Sequence, residues 1–218
     1  MAYPPSTKTP RTKPRIYLVT PPVTEPARLQ GPLETVLGAV DIAAVLLTLT
    51  STDERTMIDH VKALAPLVQD KDVALLIDNR PNIVARAGAD GAHVAGVEEL
   101  KDAIESLKPN RIVGAGQIKT RHDAMLAGEL GVDYVLFGEP DATDRRPALE
   151  SIIERVQWWA EIFEIPCVGF AAALDEVAPL VAAGADFIAL RDCVWDDRRG
   201  PAAALAVATN HLMTEPVA

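Results

Sequence analysis

The chain has 218 residues, a length that suits one (β/α)-type domain or two small ones and is enough for a sizeable core. Its 21 Lys and Arg against 31 Asp and Glu leave a formal net charge of −10, which excludes a general nucleic-acid binder or a basic membrane-surface protein and leaves room only for a local basic pocket around a small anion. A hydrophobic content of 49% excludes gross disorder, and no apolar run reaches the roughly 18 residues that a membrane-spanning helix needs.

Residues 1–14, MAYPPSTKTPRTKP, carry four prolines and read as an extended or disordered arm. They lack the apolar stretch of a signal sequence, so a cytoplasmic protein is expected, with residues 15–218 forming a single domain. Short β-branched apolar runs follow at 16–19, 44–49, 73–77, 91–94, 112–113, 134–137, 167–170 and 187–190. Helical periodicity separates them. Over 53–68, Met57, Val61, Leu64 and Leu67/Val68 share a face, with Ser51 and Glu54 as a capping box. Further helices are predicted over 100–107, 121–130, 149–163, 175–183 and 202–213, and the segment after the third strand, 82–86, is short. Cys167 and Cys193 both fall in apolar, strand-like contexts and read as buried thiols rather than a disulfide or metal pair.

Three junctions nearly repeat: Ala87-Gly88-Ala89-Asp90, Leu130-Gly131-Val132-Asp133 and Ala183-Gly184-Ala185-Asp186, with Gly38-Ala39-Val40-Asp41 as a related form. Glycine suits the left-handed position that ends a helix, and the Asp can hydrogen-bond the turn. Repeated helix–Gly–x–Asp–strand joints, and strands apolar on both faces, imply a parallel sheet covered by helices. Eight such units in about 200 residues predict an α/β fold, a (β/α)8 TIM barrel. The open doubly wound alternative lacks G-x-G-x-x-G after the first strand.

A barrel of this kind binds its ligands where strands end. Those ends read Asp78-Asn79-Arg80; His93-Val94-Ala95-Gly96 with Glu98 and Glu99; Gly116-Gln117 with Lys119; Gly138-Glu139-Pro140-Asp141-Ala142-Thr143 leading to Arg145 and Arg146; Ala171-Ala172; and Arg191-Asp192. No Ser-His-Asp or Cys-His constellation stands out. His93 admits two readings, a ligand contact or proton shuttle, and a packed ring bonded to a loop carbonyl, the second being the more ordinary. Glu139 reads as a base if buried, or as a loop carboxylate in water. Trp158 and Trp159 cannot both face the core, so one covers a neighbouring helix or a subunit interface.

IYLVT at 16–20, LLIDNRPNIVARAGADGAHV at 75–94, RIVGAG at 111–116, GVDYVLFGEPDAT at 131–143, IPCVGFAAALDEV at 165–177 and AGADFIAL at 183–190 resemble the thiamine phosphate synthase family in order and spacing. The resemblance implies a (β/α)8 barrel that joins hydroxymethylpyrimidine diphosphate to a thiazole phosphate and releases pyrophosphate, with Mg²⁺. Asp78, Asn79, Glu98 and Glu99 are the implied metal residues. Gly116, Thr143, Arg146, Ala171 and Ala172 stand at or near the family's substrate and phosphate positions; Arg80, Lys119, Arg145 and Arg191 are further cations just past strand ends that could meet phosphate, and Glu139 and His93 are the catalytic candidates. The sequence departs from the family pattern at several of these positions. The Gln-Leu-Arg-x-Lys element after the second strand is replaced by uncharged Val45–Thr50, Asn-Asp by Asp78-Asn79, Gly-x-Ser by a stretch ending in Gly116, and Gly-Gly by Ala171-Ala172. Two other readings stay open: an isomerase like the thiazole tautomerases, with Glu139 as base and no metal, and a non-catalytic binder of thiamine-type phosphates. The implied partner is a phosphorylated small molecule, with no nucleic acid and no membrane. A homodimer is expected by analogy with barrels of this size.

Overall fold

In a computed structural model that describes residues 13–213, eight parallel strands close into one barrel in sequential order. They are β1 (Arg15–Val19), β2 (Ile42–Leu47), β3 (Ala74–Asp78), β4 (Gly91–Ala95), β5 (Ile112–Gly116), β6 (Tyr134–Phe137), β7 (Cys167–Ala171) and β8 (Phe187–Leu190). β8 pairs back onto β1 through Arg15–Phe187 to Leu18–Leu190, which confirms the predicted (β/α)8 barrel. The expected arm lies almost wholly outside the described residues. No described helix is long and apolar enough to cross a membrane.

The helices are α1 (Pro26–Ala39), α2 (Glu54–Gln69), α3 (Val84–Ala87), α4 (Val97–Leu107), α5 (Arg121–Leu130), α6 (Leu149–Ile162), α7 (Val177–Ala182), α8 (Asp192–Trp195) and α9 (Pro201–Leu212). Two of these escape sequence periodicity. α1 buries Leu29, Leu33, Val36 and Leu37 as a proper helical stripe, yet Pro26, Gly31, Pro32 and Gly38 interrupt its pattern. Pro26 opens the helix, where its missing N–H costs nothing. α8 is a single turn and carries Cys193, which is therefore not on a strand. The Ser51/Glu54 box also gives way: Asp53 is the cap of α2, its side chain accepting from Thr56 N–H at 2.8 Å.

The Gly–x–Asp joints do more than end helices. Gly88, Gly131 and Gly184 have φ of +75°, +89° and +95°, the left-handed region open to glycine. The Asp two residues on does not close its own turn. Instead Asp90, Asp133 and Asp186 each accept the backbone N–H of a strand residue, Leu75, Val113 and Cys167 respectively, at 2.7–2.8 Å. Each joint thus clips a helix end to the sheet.

Two apolar layers result. Strand residues facing outward pack with the helices in one large core, while Tyr17, Ala44, Leu76, Tyr134, Val168 and Ala189 fill the barrel interior. Val19, Leu46, Leu136 and Phe170 top that interior filling and form the floor of an open cavity at the strands' C-terminal ends.

Candidate active site

The cavity has a volume of about 670 Å³ and is bordered by residues on or just after every one of the eight strands, from Val19 of β1 to Phe170 of β7 and Arg191 after β8. His93 points into it from β4. The ring is buried, and neither nitrogen meets a loop carbonyl: Nδ1 lies 3.0 Å from Tyr134 Oη and Nε2 lies 3.0 Å from Glu139 Oε2. This corrects the more ordinary reading of His93. Tyr134 Oη continues to Tyr17 Oη at 2.8 Å, and the imidazole lies nearly parallel to the Tyr134 ring, 12° between planes.

Glu139 comes from the β6–α6 connection. Its side chain is only 15% exposed, so it is not a loop carboxylate in water. The second oxygen, Oε1, accepts the backbone N–H of Gln117, whose own amide donates to Pro140 O at 2.6 Å. Gln117 sits at φ +52°, a left-handed turn that aims its N–H at the carboxylate. Glu139 is therefore gripped at both oxygens.

Burial works against a charged His93, but the Glu139 carboxylate, both as charge and as hydrogen-bond partner, together with Asp78, outweighs it and raises the imidazole above its ordinary range. A protonated imidazole would donate from Nε2 to Glu139 and from Nδ1 to Tyr134 Oη, leaving the Tyr134 hydroxyl to donate to Tyr17 Oη. Both phenols are raised, chiefly by burial. Asp78, half-buried at the end of β3, is raised as well: burial is the main cause and the Glu139 charge adds to it, against His93 and Arg80.

Gly116 decides whether this pair can exist. A Cβ at that position would collide with His93 Nε2 and Glu139 Oε1. Gly116, named from sequence as a substrate contact, leaves the space beside which His93 and Glu139 meet.

The remaining predicted residues divide. Asp78, Glu99, Lys119 and Arg191 border the cavity. Asn79 borders it too, but its amide is committed: Oδ1 accepts Ala95 N–H at 2.7 Å and Nδ2 donates to Asp78 Oδ1 at 3.0 Å, so it braces Asp78 rather than standing as a free ligand. Arg80 reaches back to the Asn79 carbonyl, and Glu98 is an exposed residue in the first turn of α4; neither borders the cavity. Thr143 is exposed, its hydroxyl bonded to Asp141 and receiving Arg145 Nε. Arg146 makes a bidentate pair with Glu176 at 2.8 and 2.9 Å, each side chain 17% exposed, and Glu176 also accepts Ala172 N–H at 2.8 Å. Ala171 is buried at the end of β7, its carbonyl facing Cys193 Sγ. Arg191 lies over the Phe170 ring, 6.0 Å from its centroid, and pairs with Asp144 and Asp192. A smaller cavity of about 250 Å³ adjoins the first and brings Arg145, Arg146 and Arg155 towards Lys119 and Glu139.

Sequence reasoning missed Gln117, Tyr17, Tyr134 and Glu176. Both tyrosines sit at inward positions of their strands, so alternation signals their facing. Nothing local signals that residues 117 positions apart meet.

Four carboxylates, Asp78, Glu99, Glu139 and Asp141, border the main cavity against two permanent cations, Lys119 and Arg191. Such a wall repels a bare diphosphate and suits a divalent ion that enters with it. Among the described residues no three His, Cys, Asp or Glu side chains are grouped to hold a metal. Mg²⁺ is commonly held by one or two carboxylates plus substrate phosphates. Asp78 and Glu99 border the cavity and are the carboxylates that could hold such an ion.

Residues 16–194 match the family model described as thiamine monophosphate synthase. A thiamine-phosphate synthase of Rhodospirillum centenum is 42% identical over 197 residues, covering 88% of this chain and 94% of its own length. One from Hyphomonas neptunium is 34% identical, covering 91% and 94%. Among solved structures, a thiamine phosphate pyrophosphorylase from Pyrococcus furiosus superposes with a TM-score of 0.74 at 22% identity, covering 92% of this chain and 96% of that one.

Proposed function

The chain belongs to the thiamine monophosphate synthase family, and we propose that it joins hydroxymethylpyrimidine diphosphate to a thiazole phosphate and releases pyrophosphate. The cavity carries this reading: an apolar floor of Val19, Leu46, Leu136 and Phe170 beneath a charged rim, with room for two heterocycles. The C–O bond of the pyrimidine methylene breaks and its electron pair leaves with the diphosphate. The thiazole nitrogen lone pair then forms the C–N bond. No proton has to move and no covalent nucleophile is needed, in keeping with a site that lacks one. The protein's work is to hold both rings in line and to stabilise the departing charge. Lys119 and Arg191 are the cations that border the cavity, and both serve the phosphates in this reading. Asp78 and Glu99 would hold Mg²⁺ together with the diphosphate oxygens; the ion, when bound, neutralises charge on the leaving group. Glu139 has both oxygens on donors, which suits an acceptor better than a proton carrier and sets this reading ahead of an isomerase.

The finer expectations join this proposal. A second copy is expected to pack on the face of α5 and α6 where Met125 and Ile162 are exposed at 38% and 62% beside Trp158, while Trp159 is the tryptophan that enters the core. The cytoplasm is the compartment in which such phosphorylated substrates would be met. The deciding experiment mixes the purified chain with both substrates and Mg²⁺ and measures pyrophosphate. Release is expected, and Lys119→Ala or Arg191→Ala should raise KM about tenfold each, the loss of one hydrogen bond to a charged group. A folded chain that releases none overturns the proposal.

A further inference from the structure

We propose that the barrel carries a second binding site at its opposite end: a cavity at the N-terminal ends of the strands that takes a small uncharged molecule with an apolar body and one hydrogen-bond acceptor, which accepts from the Tyr17 hydroxyl. The inference does not depend on the synthase reading, because the two cavities share no lining residue.

Three observations lead there. The first is space. Layers of bulky side chains normally fill the inside of a barrel of this kind. Here β2 and β3 present the paired alanines Ala44 and Ala74, and a cavity of about 300 Å³ opens beside them, bordered also by Tyr17, Tyr134, Val168 and Phe187. The second is charge. Two charged residues border this cavity, and both are committed elsewhere: Arg15 pairs with Asp41 and donates to Ile42 O, while Asp133 accepts from Lys108 and from Val113 N–H. An ionic ligand finds no free counter-charge there. The third is a line of hydroxyls. Tyr17 Oη meets Tyr134 Oη at 2.8 Å and Tyr134 Oη meets His93 Nδ1 at 3.0 Å, so hydrogen bonds join the wall of the lower cavity to that of the upper one. A Cβ on Gly114 would strike the Tyr134 ring and its hydroxyl; glycine there lets the ring cross β5 and reach His93 on β4.

The direction of that line follows the charge on His93. With Nδ1 bare, the Tyr134 hydroxyl donates to it and the Tyr17 hydroxyl donates to Tyr134, so every proton has a place. When Nδ1 takes a proton from solvent, both hydroxyls turn about their C–O bonds and no O–H bond breaks. Tyr134 then donates to Tyr17, and the Tyr17 proton is left over. Among the described residues Tyr17 Oη has no hydrogen-bond partner besides Tyr134, and the residue is 2% exposed. A buried donor without an acceptor is costly. The groups that set the charge are Glu139, bonded to Nε2, and Asp78 of β3; both favour the imidazolium against its burial, while burial holds the two phenols neutral. Water serves the spare donor poorly, because a buried water needs two to four polar partners and these walls are mainly apolar. An organic molecule covers the apolar walls and brings the acceptor, a carbonyl, an ether or a ring nitrogen.

The test uses the full chain and calorimetry with two isosteric probes, acetophenone and α-methylstyrene, which differ in a C=O against a C=CH₂. Tyr17→Phe should weaken acetophenone about three- to tenfold, as one neutral hydrogen bond predicts, and leave α-methylstyrene within about twofold. Ala74→Leu, which fills the lower cavity, should abolish binding of both probes. In wild type, acetophenone should bind more weakly as pH rises through the folded value of His93, followed by histidine NMR in the same sample, and α-methylstyrene should not follow. A wild-type chain that binds neither probe, or an acetophenone affinity that is flat across that titration, overturns the inference whether or not the variants fold. So does an acetophenone affinity unchanged in folded Tyr17→Phe, or binding that survives in folded Ala74→Leu. A chain that binds as expected yet releases no pyrophosphate overturns the synthase reading alone.

Discussion

Replacing Gly116 by Ala adds one methyl group at the point where the site is tightest. At an ordinary strand position Gly→Ala stabilises by about 0.4–1 kcal/mol, because the unfolded chain loses freedom. Here the new Cβ meets His93 Nε2 and Glu139 Oε1. The imidazole has no room to move: it is buried and lies against Tyr134. Glu139 is the flexible partner, so it swings out and surrenders its bonds to His93 and to Gln117 N–H. Each is a hydrogen bond to a charged group worth about 1.5–3 kcal/mol, so two cost about 3–6 kcal/mol before the backbone gain is subtracted. The net expectation is a loss of about 2–5 kcal/mol, or a Tm lower by roughly 4–20 °C for a domain of this size. Thermal and urea unfolding measure it, and histidine NMR follows the His93 imidazole, which should lose its upward displacement once Glu139 has left. A Gly116→Ala protein as stable as wild type, with the His93 resonance unchanged, refutes the claim that Gly116 exists to admit the pair.

Other consequences follow from the same geometry. The raised His93 imidazole contributes stability that is fully present below the unfolded value near 6.5 and is lost as pH rises through the higher folded value, so unfolding free energy should fall across that interval and His93→Gln should flatten the slope. Asp78 has the same sign: raised by burial, it opposes folding increasingly as pH climbs past the ordinary carboxylate range, and a denaturation series taken upward from that range in Asp78→Asn should lack that decline. The same variant should need about tenfold more Mg²⁺ for half-maximal pyrophosphate release, as the loss of one charged ligand implies, read from a magnesium titration. Glu176→Gln keeps an acceptor for Ala172 N–H but frees Arg146 of its counter-charge; inorganic pyrophosphate should bind severalfold more tightly by calorimetry, and unchanged binding would mean that Arg146 has no access to the anion.

The elements most legible in the sequence were those written locally. Eight apolar runs gave eight strands because a strand buried on both faces needs a nearly continuous apolar run. The Gly-x-Asp joints announced repeated βα units because only glycine takes φ near +90° without cost. The joints' further role, with Asp90, Asp133 and Asp186 each reaching a neighbouring strand's N–H, was not legible, since a side chain's partner across the sheet leaves no local mark. α1 was hidden by Gly31 and Pro32, whose cost is outweighed by burying Leu29, Leu33, Val36 and Leu37.

Sequence alone therefore determined the barrel, its strand order and the rim on which chemistry had to lie, because hydrophobic period and turn chemistry act between near neighbours. Which of those groups meet was decided only by closure of the barrel. Closure brings His93 of β4 against Tyr134 of β6, Glu139 from the connection beyond it and Tyr17 of β1. It also turns Arg146, a phosphate candidate by sequence, into the partner of Glu176. A charge in a folded protein pairs with whatever counter-charge packing brings within reach and shields from water, and that choice is made in three dimensions.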